Sequence, residues 1–288
     1  MSDLKTGFIG LGAMGYAMAG HLHRIGVLTA VSNRSMEKAV AFAKDNAGVT
    51  AASPRELAAQ CNVIVLCVSA DADVLAVTKD IAAAAKPGTV VIDHSTVSSA
   101  TAKQASELLK AAKCEFLDAP VSGGVEGAKN GKLSVMVGGD AQTLARVRPA
   151  LDAYAARVSH MGPVGAGQNT KAVNQVLVAG IAQGVCEGLA LGEALGLDAE
   201  TLLPTLMGGA ANCWFLEKRG ATMLKNQFSI GFKLALLHKD LGIVNELAKT
   251  VGTDRSVIEK SLSDYASLMQ QSHGDDDISA LIRLKRAR

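Results

Sequence analysis

The sequence lacks an excess of either charge, because 29 lysine and arginine residues nearly balance 27 aspartate and glutamate residues. The resulting formal net charge of +2 gives no reason to expect a nucleic-acid partner, which would require a strongly basic surface. Internal repeats and low-complexity segments are absent as well. The chain runs at once into an apolar strand and a glycine-rich loop, so we predict no signal peptide.

Cysteine motifs are also missing. The five cysteines are an odd number, with no C-x-x-C pair and no Cys/His spacing suited to a metal. His21 and His23 lie two residues apart on a predicted helix and point away from each other, so we expect no metal site. Most of the cysteines lie in apolar runs, as buried reduced thiols do, which favours a cytoplasmic protein.

One apolar stretch, 173–195, is long enough to span a bilayer. Glu187, Glu193 and several glycines within it favour a helix buried in protein, so no membrane association is expected.

The first half of the chain alternates short β-branched runs with alanine-rich helical segments, a pattern typical of a parallel α/β sheet. The predicted strands are almost entirely apolar, as strands covered on both faces are. They are Gly7–Ile9, Leu28–Ser32, Val63–Val68, Val90–Asp93, Glu115–Asp118, Ser134–Val137 and Arg157–His160. Helices are predicted between them, for example at Met36–Asp45, Pro54–Gln60 and Ala100–Ala111.

After Gly167 the pattern becomes helical throughout. A long helix is predicted over Asn169–Leu195. Further helices are predicted at Ala199–Met207, Phe215–Leu224, Phe232–Val251 and Ser256–Gln271. The sequence thus predicts a dinucleotide-binding α/β domain at 1–164 and an all-helical substrate and dimerisation domain at 165–288, joined by the long helix.

The G-x-G-x-x-G motif of Gly10, Gly12 and Gly15 is the most informative local feature. It follows an apolar strand and opens a helix, where the glycines allow a tight turn, close approach of a pyrophosphate and helix–strand packing. The helix N-terminus supplies free N–H groups and a positive dipole end for the phosphates. The predicted cofactor loop also includes the intervening residues Leu11, Ala13 and Met14.

Glycines recur every four residues along the long helix, at Gly180, Gly184, Gly188, Gly192 and Gly196. Each interior glycine costs about 1 kcal/mol relative to alanine, so we expect another helix or the first domain to cover this strip closely.

Two further segments carry candidate chemistry. Ser122, Gly123 and Gly124 follow a strand at the carboxyl edge of the sheet, where a hydroxyl and exposed N–H groups suit a carboxylate. An ordinary glycine turn fits that segment equally well. Lys171 and Asn174 share one face at the start of the long helix, and the helix dipole together with partial burial is expected to lower the pKa of Lys171 toward a value useful for proton transfer.

The segment FKLALLHKDL supplies a third candidate pair, Lys239 and Asp240. Lys239 interrupts an otherwise apolar helical stripe. Its head group therefore reaches either water or the cleft.

Together, GFIGLGAMGYAMA, DAPVSGG, GAGQNTKAVNQ and HKDLGI resemble the β-hydroxyacid dehydrogenase family, which includes 3-hydroxyisobutyrate dehydrogenase and tartronate semialdehyde reductase. The resemblance covers essentially the whole chain. It implies a Rossmann-type domain, an all-helical second domain, and hydride transfer between a nicotinamide and the alcohol carbon of a small 3-hydroxy acid. A homodimer or homotetramer is expected from the apolar helical half.

The resemblance also implies roles for individual residues. Lys171 is the expected general acid/base, and Asn174 orients substrate and lysine. The expected substrate contacts are Ser122, Gly123, Gly124, Lys239 and Asp240. Beyond the glycine loop, the expected cofactor contacts are Val68, Ser69, Asp73, Thr96 and Lys239, although the family often has proline at the position of Ser69.

The end of the second strand bears on the choice of cofactor. Enzymes of this fold that use NAD place an acid there for the ribose 2′-hydroxyl, whereas an arginine suits a 2′-phosphate. This chain has Asn33, Arg34 and Ser35 and no acid before Glu37, which favours NADP over NAD. The alternatives are a glyoxylate/succinic semialdehyde reductase of the same family and a non-catalytic dinucleotide sensor.

Overall fold

A nine-stranded sheet organises the first part of the chain in the computed structural model, which describes residues 4–286. Its strands are β1 (Thr6–Ile9), β2 (Leu28–Ser32), β3 (Thr50–Ala51), β4 (Val63–Leu66), β5 (Val90–Asp93), β6 (Glu115–Asp118), β7 (Val121–Ser122), β8 (Leu133–Gly138) and β9 (Ala155–Gly162). Seven helices connect them: α1 (Gly15–Arg24), α2 (Met36–Asp45), α3 (Pro54–Gln60), α4 (Asp71–Ala82), α5 (Ser99–Ala111), α6 (Gly124–Lys129) and α7 (Ala141–Leu151).

The strand order is β3-β2-β1-β4-β5-β6-β8, with β7 and β9 also paired to β8. The pairs from β3 to β6 are parallel, as is β8 with β9, whereas β8 is antiparallel to β6 and β7. From β1 the chain adds β2 and β3 along one direction of the sheet, and then crosses back to add β4 on the other side of β1. This reversal opens a crevice at the carboxyl ends of β1 and β4, where α/β sheets bind ligands. The Rossmann-type prediction is confirmed.

The apolar strands form because helices cover both faces of the sheet. Along β4, Val63 and Val65 pack into the core on one face, while Ile64 and Leu66 pack into the core on the other. All four are at least 98% buried. Since successive strand residues point to opposite faces, an uninterrupted apolar run is what such a strand needs.

The remainder of the chain is helical. It contains α8 (Ala166–Ala194), α9 (Ala199–Met207), α10 (Trp214–Leu224), α11 (Leu234–Val251), α12 (Ser256–Gln270) and a 3₁₀ helix at Ile278–Leu284. The backbone contacts divide the chain into two compact units, Met1–Lys171 and Ala172–Arg288, so α8 begins in the first unit and continues into the second. The sequence predicts the domain boundary at 164/165, one residue before α8 begins at Ala166.

One face of α8 belongs to the core of the second unit. Ala179, Ala182, Cys186 and Leu189 are buried there at helical spacing. Within residues 4–286, α8 is the one helix long and apolar enough to cross a membrane, with a mean hydropathy of 1.4. A core helix meets the same criteria.

The glycine strip on α8 is covered only in part. A Cβ atom on Gly192 would lie 2.7 Å from the Leu202 side chain, so this glycine permits the close packing of α9. Gly184 and Gly188 have open space instead: apart from the helix around them, no atom of residues 4–286 lies within 4 Å of an added Cβ. The expectation of close cover along the whole strip is therefore wrong within a single chain.

Candidate active site

The loop after β1 carries the glycines of the predicted dinucleotide motif. Gly10 has a φ of +104°, and a Cβ atom there would overlap the backbone carbonyl of Cys67. A Cβ atom on Gly15 would overlap the Gly10 carbonyl oxygen and lie 3.0 Å from the Phe8 ring. On Gly12 it would meet nothing within 4 Å. The first and third glycines thus permit the turn and the packing, and the second leaves open space beside the backbone.

The N-terminus of α1 suits an anion. No acidic residue lies in its first turn, and no side chain caps it. The unpaired N–H groups and the positive dipole end are therefore available to phosphate oxygens. Within the loop, Leu11 is buried, Ala13 is exposed and Met14 is half-buried.

The end of β2 lies beside this loop. The Leu11 N–H donates to the Asn33 side-chain oxygen at 2.9 Å, and the Asn33 amide donates to the Ser35 carbonyl at 3.1 Å. Asn33 therefore links the two loops through its own side chain, a role that the sequence did not indicate. Arg34 is exposed, with its guanidinium 3.9 Å from the carboxylate of Asp73 in the first turn of α4.

Hydrogen bonds connect the loops after β4 and β5. The Val68 N–H donates to the Ser95 hydroxyl at 3.0 Å, and the Ser95 N–H donates to the carboxylate of Asp93 at 2.9 Å. Ser69 follows Val68, and Thr96 follows Ser95. The predicted contacts Val68, Ser69 and Thr96 thus come together at the carboxyl edge of the sheet, beside the glycine loop.

Gln168, in the first turn of α8, holds the backbone on both sides of Thr96. Its side-chain amide donates to the Ser95 carbonyl at 2.8 Å, and its side-chain oxygen accepts the Val97 N–H at 3.2 Å. Sequence reasoning missed this residue, although it lies within the GAGQNTKAVNQ motif. Its partners are more than 70 positions away, and no local pattern indicates them.

Asp118, the last residue of β6, holds the start of α8. Its carboxylate accepts the Gly165 N–H at 2.7 Å and the Gln168 N–H at 2.8 Å. Burial raises its pKa, and these backbone hydrogen bonds oppose the shift. Sequence reasoning missed Asp118 too, but an acid ending an apolar strand was a usable signal, since Asp93 ends β5 in the same way.

Lys171 lies one turn further along α8. It is 7% exposed, and its ammonium donates to the Val121 carbonyl at 2.9 Å. Val121 directly precedes Ser122, and Gly123 follows with a φ of +127° before α6 begins at Gly124. The structure therefore brings the predicted acid/base lysine to the predicted carboxylate-binding loop, within the first unit.

The candidate residues of the second unit form a polar network of four side chains, Asn174, Gln175, Asp240 and Lys239. The Asn174 amide donates to the Gln175 side-chain oxygen at 2.8 Å, and the Gln175 amide donates to the Asp240 carboxylate at 2.6 Å. The Lys239 ammonium lies 3.0 Å from the other carboxylate oxygen. The structure thus groups Asn174, Lys239 and Asp240 and adds Gln175, which the sequence had not indicated.

Two titratable groups lie behind the cofactor loops. Burial raises the pKa of Asp93 to about 7, against hydrogen bonds from Ser95 that lower it. Burial also lowers the pKa of His94 to about 4. The His94 ring contacts the Ala119 carbonyl through Nδ1 and the Tyr154 hydroxyl through Nε2, a pairing that a neutral imidazole satisfies by donating to the first and accepting from the second.

The residues described, 4–286, contain no cluster of three or more His, Cys, Asp or Glu side chains arranged to hold a metal. Burial raises the pKa of the Cys61 and Cys67 thiols to about 12, which keeps both protonated and poor nucleophiles.

A mostly parallel sheet with a glycine-rich loop at its switch point, followed by a helical unit, is the architecture of a dinucleotide-dependent oxidoreductase. Residues 5–162 match the family model described as the NAD-binding domain of 6-phosphogluconate dehydrogenase. Residues 165–285 match the model described as NAD-binding of NADP-dependent 3-hydroxyisobutyrate dehydrogenase.

Full-length relatives agree with these matches. An uncharacterised oxidoreductase of Shewanella frigidimarina is 37% identical over 99% of both chains. The NAD-dependent L-serine dehydrogenase of Pseudomonas aeruginosa is 33% identical over 97% of both. The solved Mycobacterium tuberculosis 3-hydroxyisobutyrate dehydrogenase with L-serine has a TM-score of 0.89 at 33% identity, covering 99% of both chains. The chain belongs to the 3-hydroxyisobutyrate dehydrogenase family of NAD(P)-dependent oxidoreductases, whose members act on hydroxyl groups.

Proposed function

We propose that the protein transfers a hydride between NAD(P) and the alcohol carbon of a small 3-hydroxy acid or the corresponding semialdehyde. The substrate class is that of 3-hydroxyisobutyrate dehydrogenase or 2-hydroxy-3-oxopropionate (tartronate semialdehyde) reductase. The observation that carries the proposal is the buried Lys171 ammonium, 2.9 Å from the Val121 carbonyl and next to Ser122. A cation held beside a serine and glycine backbone N–H groups is suited to a hydroxy acid.

In this proposal Lys171 is the general acid/base. As the neutral amine it accepts the hydroxyl proton when the alcohol is oxidised and becomes the ammonium; as the ammonium it returns that proton to the oxygen when the aldehyde is reduced. Ser122 and the N–H groups of Gly123 and Gly124 hold the substrate carboxylate. Asn174 orients the substrate and the lysine from the next turn of α8. Lys239 and Asp240 stay predicted substrate contacts, with Lys239 also bordering the cofactor.

The open space at Gly12 and the uncapped N-terminus of α1 fit a dinucleotide pyrophosphate. The residues that would hold the cofactor are Gly10, Leu11, Gly12, Ala13, Met14, Gly15, Asn33, Arg34, Ser35, Val68, Ser69, Asp73 and Thr96. When bound, the nicotinamide supplies the hydride donor or acceptor.

We favour NADP over NAD, because Arg34 is exposed at the end of β2 and the first acid after that strand is Glu37 in α2.

The proposed assembly is a homodimer or homotetramer. Besides its core face, α8 exposes Val173, Leu177 and Leu191, each about 60% accessible, on the side where Gly184 and Gly188 leave open space. A second copy of the chain would cover this surface and account for the glycines. The five free cysteines support a reducing compartment, and we propose the cytoplasm.

A panel of small 3-hydroxy acids and semialdehydes, followed by the absorbance of the reduced nicotinamide with each cofactor, tests this function. We expect turnover of a 3-hydroxy acid or its semialdehyde, with NADP preferred. Preference for glyoxylate or succinic semialdehyde would identify the alternative reductase of the family. Tight binding of cofactor without turnover of any substrate would contradict the proposal and favour the sensing module.

A further inference from the structure

The polar network of the second unit has a fixed order of donors and acceptors. It is deeply placed, with Gln175 1% and Asp240 3% exposed. Its three links measure 2.8 Å from Asn174 to Gln175, 2.6 Å from Gln175 to Asp240 and 3.0 Å from Asp240 to Lys239. Asn174, Gln175 and Asp240 are hydrogen-bonded in that order, and Asp240 ends the series in an ion pair with Lys239.

The charges at the end determine the orientation of both amides. A carboxylate only accepts hydrogen bonds and an ammonium only donates them. Because Asp240 can only accept, Gln175 must turn its NH₂ group toward Asp240 and its oxygen toward Asn174. Asn174 must then turn its own NH₂ group toward Gln175. The side-chain oxygen of Asn174 then lies at the other end of its planar amide group, away from Gln175.

We propose that Asp240 and Gln175 are positioning residues that fix the orientation of the Asn174 side-chain amide, so that its oxygen faces its ligands as a hydrogen-bond acceptor. The inference rests on the proposed function, in which Asn174 orients the substrate and Lys171. Both of those partners have protons to donate, on the alcohol oxygen and on the Lys171 nitrogen. The Asn174 oxygen can accept a hydrogen bond from either partner, whereas a flipped amide would place its NH₂ group, also a donor, against them.

Asp240 thereby acts through Gln175 and Asn174, in addition to the substrate contact predicted for it from the sequence. The Lys239 ammonium lies 3.0 Å from the other Asp240 oxygen, so the end of the network is an ion pair in which Asp240 accepts at both oxygens. The same α8 carries Lys171 one turn before Asn174, on the same helical face.

The first variant to test is Asp240→Asn. An amide can donate as well as accept, so the orientation of Gln175 and Asn174 is no longer fixed. We expect kcat to fall at least about tenfold, equivalent to about 1.4 kcal/mol of transition-state stabilisation, with the cofactor Kd unchanged. Gln175→Met keeps the volume of the side chain and interrupts the network, and we expect the same loss.

The chain offers a matched control on the same helix. Gln183 donates from α8 to the carboxylate of Asp264 at 3.0 Å, and Asp264 pairs with Lys260 at 2.6 Å. Asp264→Asn and Gln183→Met therefore repeat the chemical changes in a similar network of the same unit. We expect them to alter thermal stability and leave kcat unchanged.

A double-mutant cycle locates the effect at Asn174. If the network acts through this residue, Asp240→Asn causes no further loss of kcat in an Asn174→Ala background. Additive losses would contradict the proposal, as would equal losses in the Asp264→Asn control or full kcat in both Asp240→Asn and Gln175→Met.

A readout independent of activity separates this proposal from the proposed function. In NMR spectra of the full chain without substrate, the side-chain NH₂ protons of Asn174 should exchange slowly with water. Asp240→Asn or Gln175→Met should accelerate their exchange, and Asp264→Asn should not. Unchanged exchange in both network variants overturns the network even in an active enzyme. Accelerated exchange in a chain that turns over no hydroxy acid supports the network and overturns the proposed function.

Discussion

The three glycines of the β1 loop allow cofactor binding to be separated from stability by single methyl groups. In Gly12→Ala the added Cβ meets no atom within 4 Å, and the backbone at this position has no positive φ. We therefore expect the free energy of unfolding of the apo protein to stay close to that of the wild type. In Gly15→Ala the Cβ overlaps the Gly10 carbonyl, which should cost about 1–3 kcal/mol or more through overpacking.

Unlike stability, the affinity for the cofactor should be strongly reduced by Gly12→Ala. The methyl group fills the space through which a pyrophosphate approaches the backbone. Losing a hydrogen bond to a charged group costs about 1.5–3 kcal/mol, so the Kd for NADPH should rise roughly 10- to 150-fold.

Urea unfolding of the apo proteins and fluorescence titration with NADPH measure the two effects. The reasoning is refuted if Gly12→Ala binds NADPH with the wild-type Kd, or if it unfolds as readily as Gly15→Ala.

Three further predictions concern the cofactor, pH and assembly. Arg34→Ala should raise the KM for NADPH about tenfold or more and leave the KM for NADH unchanged. Steady-state kinetics with both cofactors measure this, and equal effects on the two KM values would contradict it. Between pH 6.5 and 4 the unfolded chain binds a proton at His94 that the folded chain does not, so the free energy of unfolding decreases as the pH falls. Relative to His94→Gln, the wild type should lose about 3 kcal/mol from pH 7 to pH 4 in urea unfolding. Parallel pH profiles of the two proteins would refute the assignment. Gly188→Leu should weaken self-association in analytical ultracentrifugation, whereas an unchanged sedimentation coefficient would show that α8 is not the interface.

The elements that could be predicted from the sequence are those with a complete local signal. The strands β2, β5 and β6 were predicted with their observed bounds, because each apolar run ends at a polar or turn residue. The two-residue strands β3 and β7 were missed, since two residues show no periodicity and their pairing depends on distant partners.

The residues of the candidate site likewise fall into those with a local sequence signal and those without one. The glycine loop, Lys171 and the Ser122 segment have recognisable neighbours in the sequence. Asp118, Gln168 and Gln175 do not, because each forms hydrogen bonds with residues 47 to 73 positions away. Their importance emerges only when the fold brings strand ends and helix starts together.

The glycine strip shows a different limit of sequence reasoning. Its regular spacing correctly indicated a surface without side chains. It could not distinguish a neighbour within the chain from a neighbour in a second copy; of the five glycines, Gly180 and Gly192 have a neighbour within the described residues, Val257 and Leu202 respectively.

The most direct test of the account is the turnover of Lys171→Met, measured with the best substrate of the panel beside the Kd for NADPH. Methionine keeps much of the side-chain volume and removes the proton donor and acceptor, while Lys110→Met on the surface of α5 serves as the control. The account predicts that kcat falls about 10²- to 10⁴-fold, with the Kd for NADPH unchanged and the protein folded. A Lys171→Met enzyme with the kcat of the Lys110→Met control would contradict it.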